Sequence, residues 1–317
     1  MRLTPFFVPL LMAASPGALK LFRPLPPAIA SAGNPMTPAK VSLGRMLFYE
    51  PRLSRNGDVS CNTCHPLDRF GADRQRVSTG HQGRKGDRNA PTVYNAAGHF
   101  AQFWDGRARD VEEQARGPVL NPAEMAMPSE AHAVAVLKSI PLYVAAFRRA
   151  FPGEKDPVTF DNMARAIGAF ERGLVTPSRW DRFLRGDPHA LNSGEKTGFN
   201  RFVEAGCAAC HYGPYAGGNS YQKLGMVKAW TRSPDTGRHR VTRDPKDKLV
   251  FKVPSLRNVA KTPPYFHDGS VKTLAEAIRL MAEHQTGKQL SPSAAASIAA
   301  WLDTLTGEIP SGYIAKP

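Results

Sequence analysis

Four cysteines constrain this chain more than any other feature. They fall in two copies of one arrangement, Cys61-Asn62-Thr63-Cys64-His65 and Cys207-Ala208-Ala209-Cys210-His211. Thiols at i and i+3 stand about one helical turn apart, so both can add to the two vinyl groups of one porphyrin. The histidine that follows then sits beneath the ring as a proximal iron ligand. Two disulfides would suit four cysteines in an exported chain, but they leave a histidine after each pair without a role. A thioredoxin-like site would be single and set in a βαβ pattern, and a zinc site would leave the histidines spare. The arrangement points to two covalently bound haems c, with Cys61, Cys64, Cys207 and Cys210 as attachment points and His65 and His211 as iron ligands.

The copies lie 146 residues apart in a chain of 317. A domain takes ~150 residues, so one haem is expected in each half. Haem c is attached outside the cytoplasm, and the N-terminus agrees: Arg2 precedes an apolar run from Phe6 to Ala14. That run is too short to span a membrane and fits the apolar region of a secretory signal. Cleavage after Pro16-Gly17-Ala18 or after Ala30-Ser31-Ala32 is open, as is an uncleaved anchor. The expected organisation is a signal or N-terminal segment over 1–20, an N-terminal haem domain over 21–175 and a C-terminal haem domain over 176–317, in the periplasm.

The net charge of +15 raises nucleic acid as a partner. The basic residues are spread along the chain, however, and no helix-turn-helix or zinc-finger spacing accompanies them. No nucleic-acid partner is expected. The charge reads as solubility and as steering of a partner with acidic groups.

Helical signals dominate. Phe160, Met163, Ile167, Phe170 and Leu174 share one face at 3-4-3-4 spacing. Thr273-x-x-Glu276 reads as a capping box that opens a helix through Leu280. Ser291 followed by Pro292 starts the last helix, which carries Ile298, Trp301 and Leu302. The Gly/Pro/Asn-rich stretches Gly80 to Ala97 and Gly213 to Asp247 read as loops wrapped around cofactors. The expected fold is mainly α: two cytochrome c-like domains, each enclosing one haem, joined near Thr176-Pro177-Ser178.

From about Leu21 to Gly307 the chain resembles the bacterial di-haem cytochrome c peroxidases. The resemblance is carried by Leu47-Phe48-Tyr49-Glu50-Pro51-Arg52-Leu53-Ser54, Asn89-Ala90-Pro91-Thr92, Gln102-Phe103-Trp104-Asp105-Gly106-Arg107, Gly117-Pro118-Val119, Pro254-Ser255-Leu256-Arg257-Asn258 and Tyr265-Phe266-His267-Asp268-Gly269. It implies reduction of hydrogen peroxide with electrons from a small redox protein, a cytochrome c or a cupredoxin. It also implies His81 as the second ligand of the N-terminal haem in the resting enzyme, and Met281 as that of the C-terminal haem. Met226 is the competitor of Met281. A thioether ligand favours Fe(II) and raises the potential, whereas two histidines lower it. By the same resemblance Glu124 is the distal acid/base, Gln114 its hydrogen-bonding neighbour and Trp104 the tryptophan between the haems. Asn89, Thr262 and Pro264 match the ligands of a calcium ion between the domains, and the family is commonly dimeric.

Two other readings share the architecture. A related di-haem oxidase completes tryptophan tryptophylquinone on a partner protein, but there a tyrosine replaces the methionine ligand, and this chain has Met281. A non-enzymatic two-haem electron carrier leaves Gln114 and Glu124 without a role.

Overall fold

Two helices that cross in backbone contact define each half of the protein. The computed structural model describes residues 16–317, so the apolar run read as a signal lies outside the described residues. In the first half the helices Pro38–Phe48 and Phe160–Glu171 cross at Gly44, where a Cβ would stand 1.9 Å from Ala166 O. In the second half Ser193–Glu204 and Pro292–Asp303 cross at Gly198, where a Cβ would stand 2.0 Å from Ser297 O. Any side chain at either glycine would force the helices apart and open the core.

The helix starts follow the local chemistry. The Thr159 side chain accepts from Asn162 N and opens Phe160–Glu171; Ser291 accepts from Ala294 N, with Pro292 at the first helical position. Thr273 accepts from Glu276 N and opens Leu274–Met281. This helix widens after Met281 into a π-turn over Ala282–Thr286. Among the described residues the one sheet is a two-stranded antiparallel ladder, Tyr221–Lys223 against Val250–Lys252. Its first strand and a short helix at His239–Thr242 lie in the stretch read as loop from Gly213 to Asp247. No single helix among the described residues is long and apolar enough to cross a membrane.

Two large apolar cores result, with smaller clusters around Trp230 and Phe266 and around Leu25 and Val175. The first is built on Leu43, Leu47, Phe48, Phe147, Ile167 and Phe170, and the second on Trp180, Phe199, Phe202, Ile298 and Trp301. The chain ends are exchanged between them. Phe22 inserts into the second core, its ring 5.6 Å from those of Trp180 and Phe199. Leu25 N donates to Asp181 Oδ1 at 2.7 Å, and the same buried carboxylate pairs with Arg257 at 2.7 Å. At the other end Tyr313 stacks on Phe170 at 5.2 Å, and Ile314 joins the first core.

The halves are also an internal repeat that the sequence reading missed. At a constant offset of 163 positions (252 minus 89), Asn89-Ala90-Pro91 corresponds to Lys252-Val253-Pro254, and Phe103-Trp104-Asp105-Gly106 to Phe266-His267-Asp268-Gly269. Phe103 and Phe266 both hold positive φ, 65° and 69°. The repeats cross-bond symmetrically: Asn89 N donates to His267 O at 2.8 Å, and Lys252 N donates to Trp104 O at 2.8 Å. Each half therefore supplies the wall against which the loop of the other half is laid.

Candidate active site

Between the halves lies a cavity of about 710 Å³ lined by residues of both. Cys64 and His65 enter it from the first half, and Cys207, Cys210 and His211 from the second. Cys61–Cys64 forms one helical turn, and Cys207–Ala209 a tighter one. This is the local geometry the i, i+3 spacing predicted. None of the four sulfurs is in a disulfide. Burial pushes the thiols of Cys64 and Cys207 up to about 11, so they are not standing thiolates.

Both motif histidines are set up as neutral ligands. His65 Nδ1 lies 3.1 Å from Gly71 O, and His211 Nδ1 lies 3.2 Å from Ala216 O. Donation to a carbonyl places the proton on Nδ1 and leaves the Nε2 lone pair for a metal. Burial pulls the His211 imidazole down to about 4 and lowers that of His65, so both rings stay uncharged. Among the described residues no group of three or more His, Cys, Asp or Glu is placed to hold a bare metal ion. A porphyrin supplies its own four nitrogens and asks the chain only for axial groups. The residues fit two haems.

On the first half, His81 is 3% exposed and its Nδ1 is buried without a partner. Its N–H donates to Glu124 O at 2.8 Å. A Cβ at Gly80 would stand 2.3 Å from Ala123 O, so the His81 loop is laid directly on the Glu124 loop. Gln82, next to His81, takes φ 53° with a side chain present, a conformation that costs about 1–3 kcal/mol. Glu124 and Gln114 both line the cavity. Asn121 Nδ2 donates to Glu124 Oε1 at 2.6 Å, and burial raises the pKa of the carboxyl above its ordinary value. Gln114 sits on the helix Val111–Leu120, which contains Pro118. The proline has no N–H to give Gln114 O.

On the second half, Met281 lines the cavity at the last residue before the π-turn, whereas Met226 is 60% exposed and does not. The internal repeat aligns Met281 with Pro118, so the corresponding face of the first half carries no side-chain ligand there. Trp104 lines the cavity and donates Nε1–H to Asn89 O at 2.9 Å. Asn89, Thr262 and Pro264 also reach the cavity wall. Asn89 Nδ2 donates to Gln75 O at 2.8 Å, which leaves Oδ1 as an acceptor.

The sequence reading missed several lining residues. Arg107 stacks its guanidinium over Phe103 at 3.4 Å, and its charge favours the ionised form of Glu124. Glu171 is buried on the wall, and burial with nearby Glu112 lifts its carboxyl to about 8. Lys252 and His99 form a contact of their own, described below. None of these has a local signature. Arg107 and His99 lie in loops, Glu171 in a helix and Lys252 in a strand, and only tertiary packing brings them to the cavity.

Comparison with known proteins agrees with this geometry. A family model described as di-haem cytochrome c peroxidase matches residues 38–189. The chain is 46% identical over 299 residues to the cytochrome c551 peroxidase of Pseudomonas aeruginosa, covering 92% of this chain and 86% of that one. It is 45% identical over 301 residues to the cytochrome c551 peroxidase of Nitrosomonas europaea, covering 94% and 89%. Among solved structures, a MauG-like protein associated with microbial copper homeostasis superposes with a TM-score of 0.81 at 31% identity, covering 92% of this chain and 97% of that one. The chain belongs to the di-haem cytochrome c peroxidase family and is an enzyme of that class.

Proposed function

We propose that the enzyme reduces hydrogen peroxide to two waters in the periplasm, drawing electrons from a small donor protein such as a cytochrome c or a cupredoxin. The reaction consumes two electrons and two protons per peroxide. When bound, the haems supply the electrons and the iron at which peroxide is held.

The chain's own residues then manage protons and access. The observation that carries the reading is Glu124, a half-buried carboxyl on the cavity wall whose proton affinity desolvation has raised. Asn121 occupies Oε1, so Oε2 is the oxygen that takes a proton from one peroxide oxygen and returns it to the other. Gln114, on the same wall, orients the peroxide by hydrogen bonding. His81 acts as the gate. Its imidazole would hold the N-terminal haem closed in the resting state, and the glycines on either side of His81-Gln82, one of them at φ 73°, would let that side chain swing away to admit peroxide. Trp104 lies between the halves on the electron's route, bonded to Asn89 O. A calcium ion held by Asn89, with Thr262 and Pro264, braces the same junction; oxygen donors suit it.

The test is peroxide turnover with a reduced cytochrome c. Glu124→Gln is expected to retain both haems and lose about 10²–10⁴-fold in rate, because the amide cannot carry the proton. His81→Gly is expected to react with peroxide without prior reduction. Unchanged turnover in Glu124→Gln removes the acid/base role, and an oxidised wild type as fast as the half-reduced form removes the gate.

A further inference from the structure

Lys252 is a buried cation with no counter-charge from the chain. It ends the strand Val250–Lys252, is 7% exposed and lines the cavity between the halves. Its Nζ lies 3.1 Å from Nδ1 of His99, a neutral acceptor. No carboxylate among the described residues acts on it as a counter-charge, and burial alone pulls the ammonium down to about 8. Charges this deep are ordinarily paired, because an unpaired one costs several kcal/mol.

The side chain is also held in place. Lys252 N donates to Trp104 O at 2.8 Å, and the strand pairs Lys252 with Tyr221. His99 is fixed by an edge contact to Tyr215 at 5.5 Å and by Gly218, where a Cβ would stand 2.4 Å from the ring. Because Nδ1 of His99 faces the ammonium as an acceptor, its proton sits on Nε2, which is buried without a partner. The internal repeat sharpens the contrast: the residue corresponding to Lys252 is neutral Asn89. Packing of this loop type does not require a cation, so the charge is specific to the second half.

We propose that Lys252, positioned by His99, is a carboxylate seat that pairs with a propionate of a porphyrin bound in this cavity. A porphyrin attached through its vinyl groups carries its two propionates on the opposite edge. Cys64, Cys207 and Cys210, on the cavity wall, set where the vinyl edges lie. The carboxylates are then the only strong anions the cofactor brings to the cavity. The inference rests on the haem reading, which a haem count tests separately.

Potentiometric titration of the holoenzyme provides the test. Lys252→Met removes the cation and leaves a propionate charge uncompensated, which favours Fe(III). One midpoint potential is expected to fall by at least a tenfold change in the reduction equilibrium, about 59 mV for one electron. The exposed Lys246→Met should leave both potentials in place. Two retained haems with unchanged potentials in Lys252→Met would overturn the proposal. A wild-type potential that moves with added chloride would mark an exchangeable anion and overturn it equally. Should Lys252→Met not load haem, the wild type decides: with propionates carrying ¹³C carboxylates, the redox difference infrared spectrum should show an ion-paired carboxylate band, and its absence refutes the pairing.

Discussion

Asn95 and Asn258 occupy corresponding positions of the internal repeat, hold the same left-handed backbone at φ 62° and 61°, and donate from Nδ2 to one hydroxyl, that of Thr176, each at 2.9 Å. Thr176 lies where the chain passes from one half to the other, and all three residues are fully buried. One side chain thereby joins the two repeats at their symmetry point. Asn95 Oδ1 accepts in turn from Thr176 N at 3.1 Å, and Asn258 Oδ1 from Gly307 N at 3.0 Å.

Thr176→Val is therefore expected to leave two buried amides short of an acceptor. Each unsatisfied group costs about 1–3 kcal/mol, so a loss of at least ~2 kcal/mol should appear in chemical denaturation. Thr176→Ser, which keeps the hydroxyl, should recover most of it.

The exchanged N-terminal segment makes a second prediction. Phe22 is 2% exposed among Trp180, Phe199 and Trp301. Phe22→Ala should destabilise the protein by about 3–5 kcal/mol, with the loss of protection in hydrogen exchange concentrated in Ser193–Glu204 and Pro292–Asp303. A chain beginning after Ala32 should show the same loss, because it lacks Phe22 altogether.

Met281 and Met226 differ in exposure, and this separates their roles. Met281→Ala should abolish the methionine-ligated spectral signal and lower one potential. Met226→Ala, at a position 60% exposed, should change neither. Visible spectra and a redox titration of the two variants check this, and the reverse outcome would exchange the assignment.

Glu171 predicts a pH dependence. Its folded-state pKa of about 8 lies above the ordinary value of 4.5. The folded protein holds this proton where the unfolded chain has lost it, so stability declines as pH rises from about 4.5 to about 8 and the contribution is then flat. Glu171→Gln should flatten that decline and make the protein more stable than the wild type near pH 8. Denaturation midpoints across this window measure it, and a parallel decline in the variant would assign the slope elsewhere.

The chemistry of attachment was legible in the sequence because it is local. Two thiols one turn apart with a histidine behind them need only five residues, and Cys61 to His65 and Cys207 to His211 fold as that spacing requires. The Phe160 face, the Thr273 cap and the Ser291-Pro292 start are equally local, so the helices they open were predictable. The capping residue competes only with its own next turn. The roles of Glu124, Gln114 and Trp104 came from resemblance, since a glutamate in a loop has no signature of its own. What tertiary structure alone decided depends on closure of one half upon the other. Only then does Phe22 find its core in the second half and Tyr313 its stack in the first. Packing within each half aims His81 and Met281 differently, laying one on the Glu124 loop and setting the other on the cavity wall. Closure also buries Lys252 against His99 of the other half. A side chain's charge and proton affinity follow from what surrounds it, and for Lys252 the facing group, His99, lies 153 positions away.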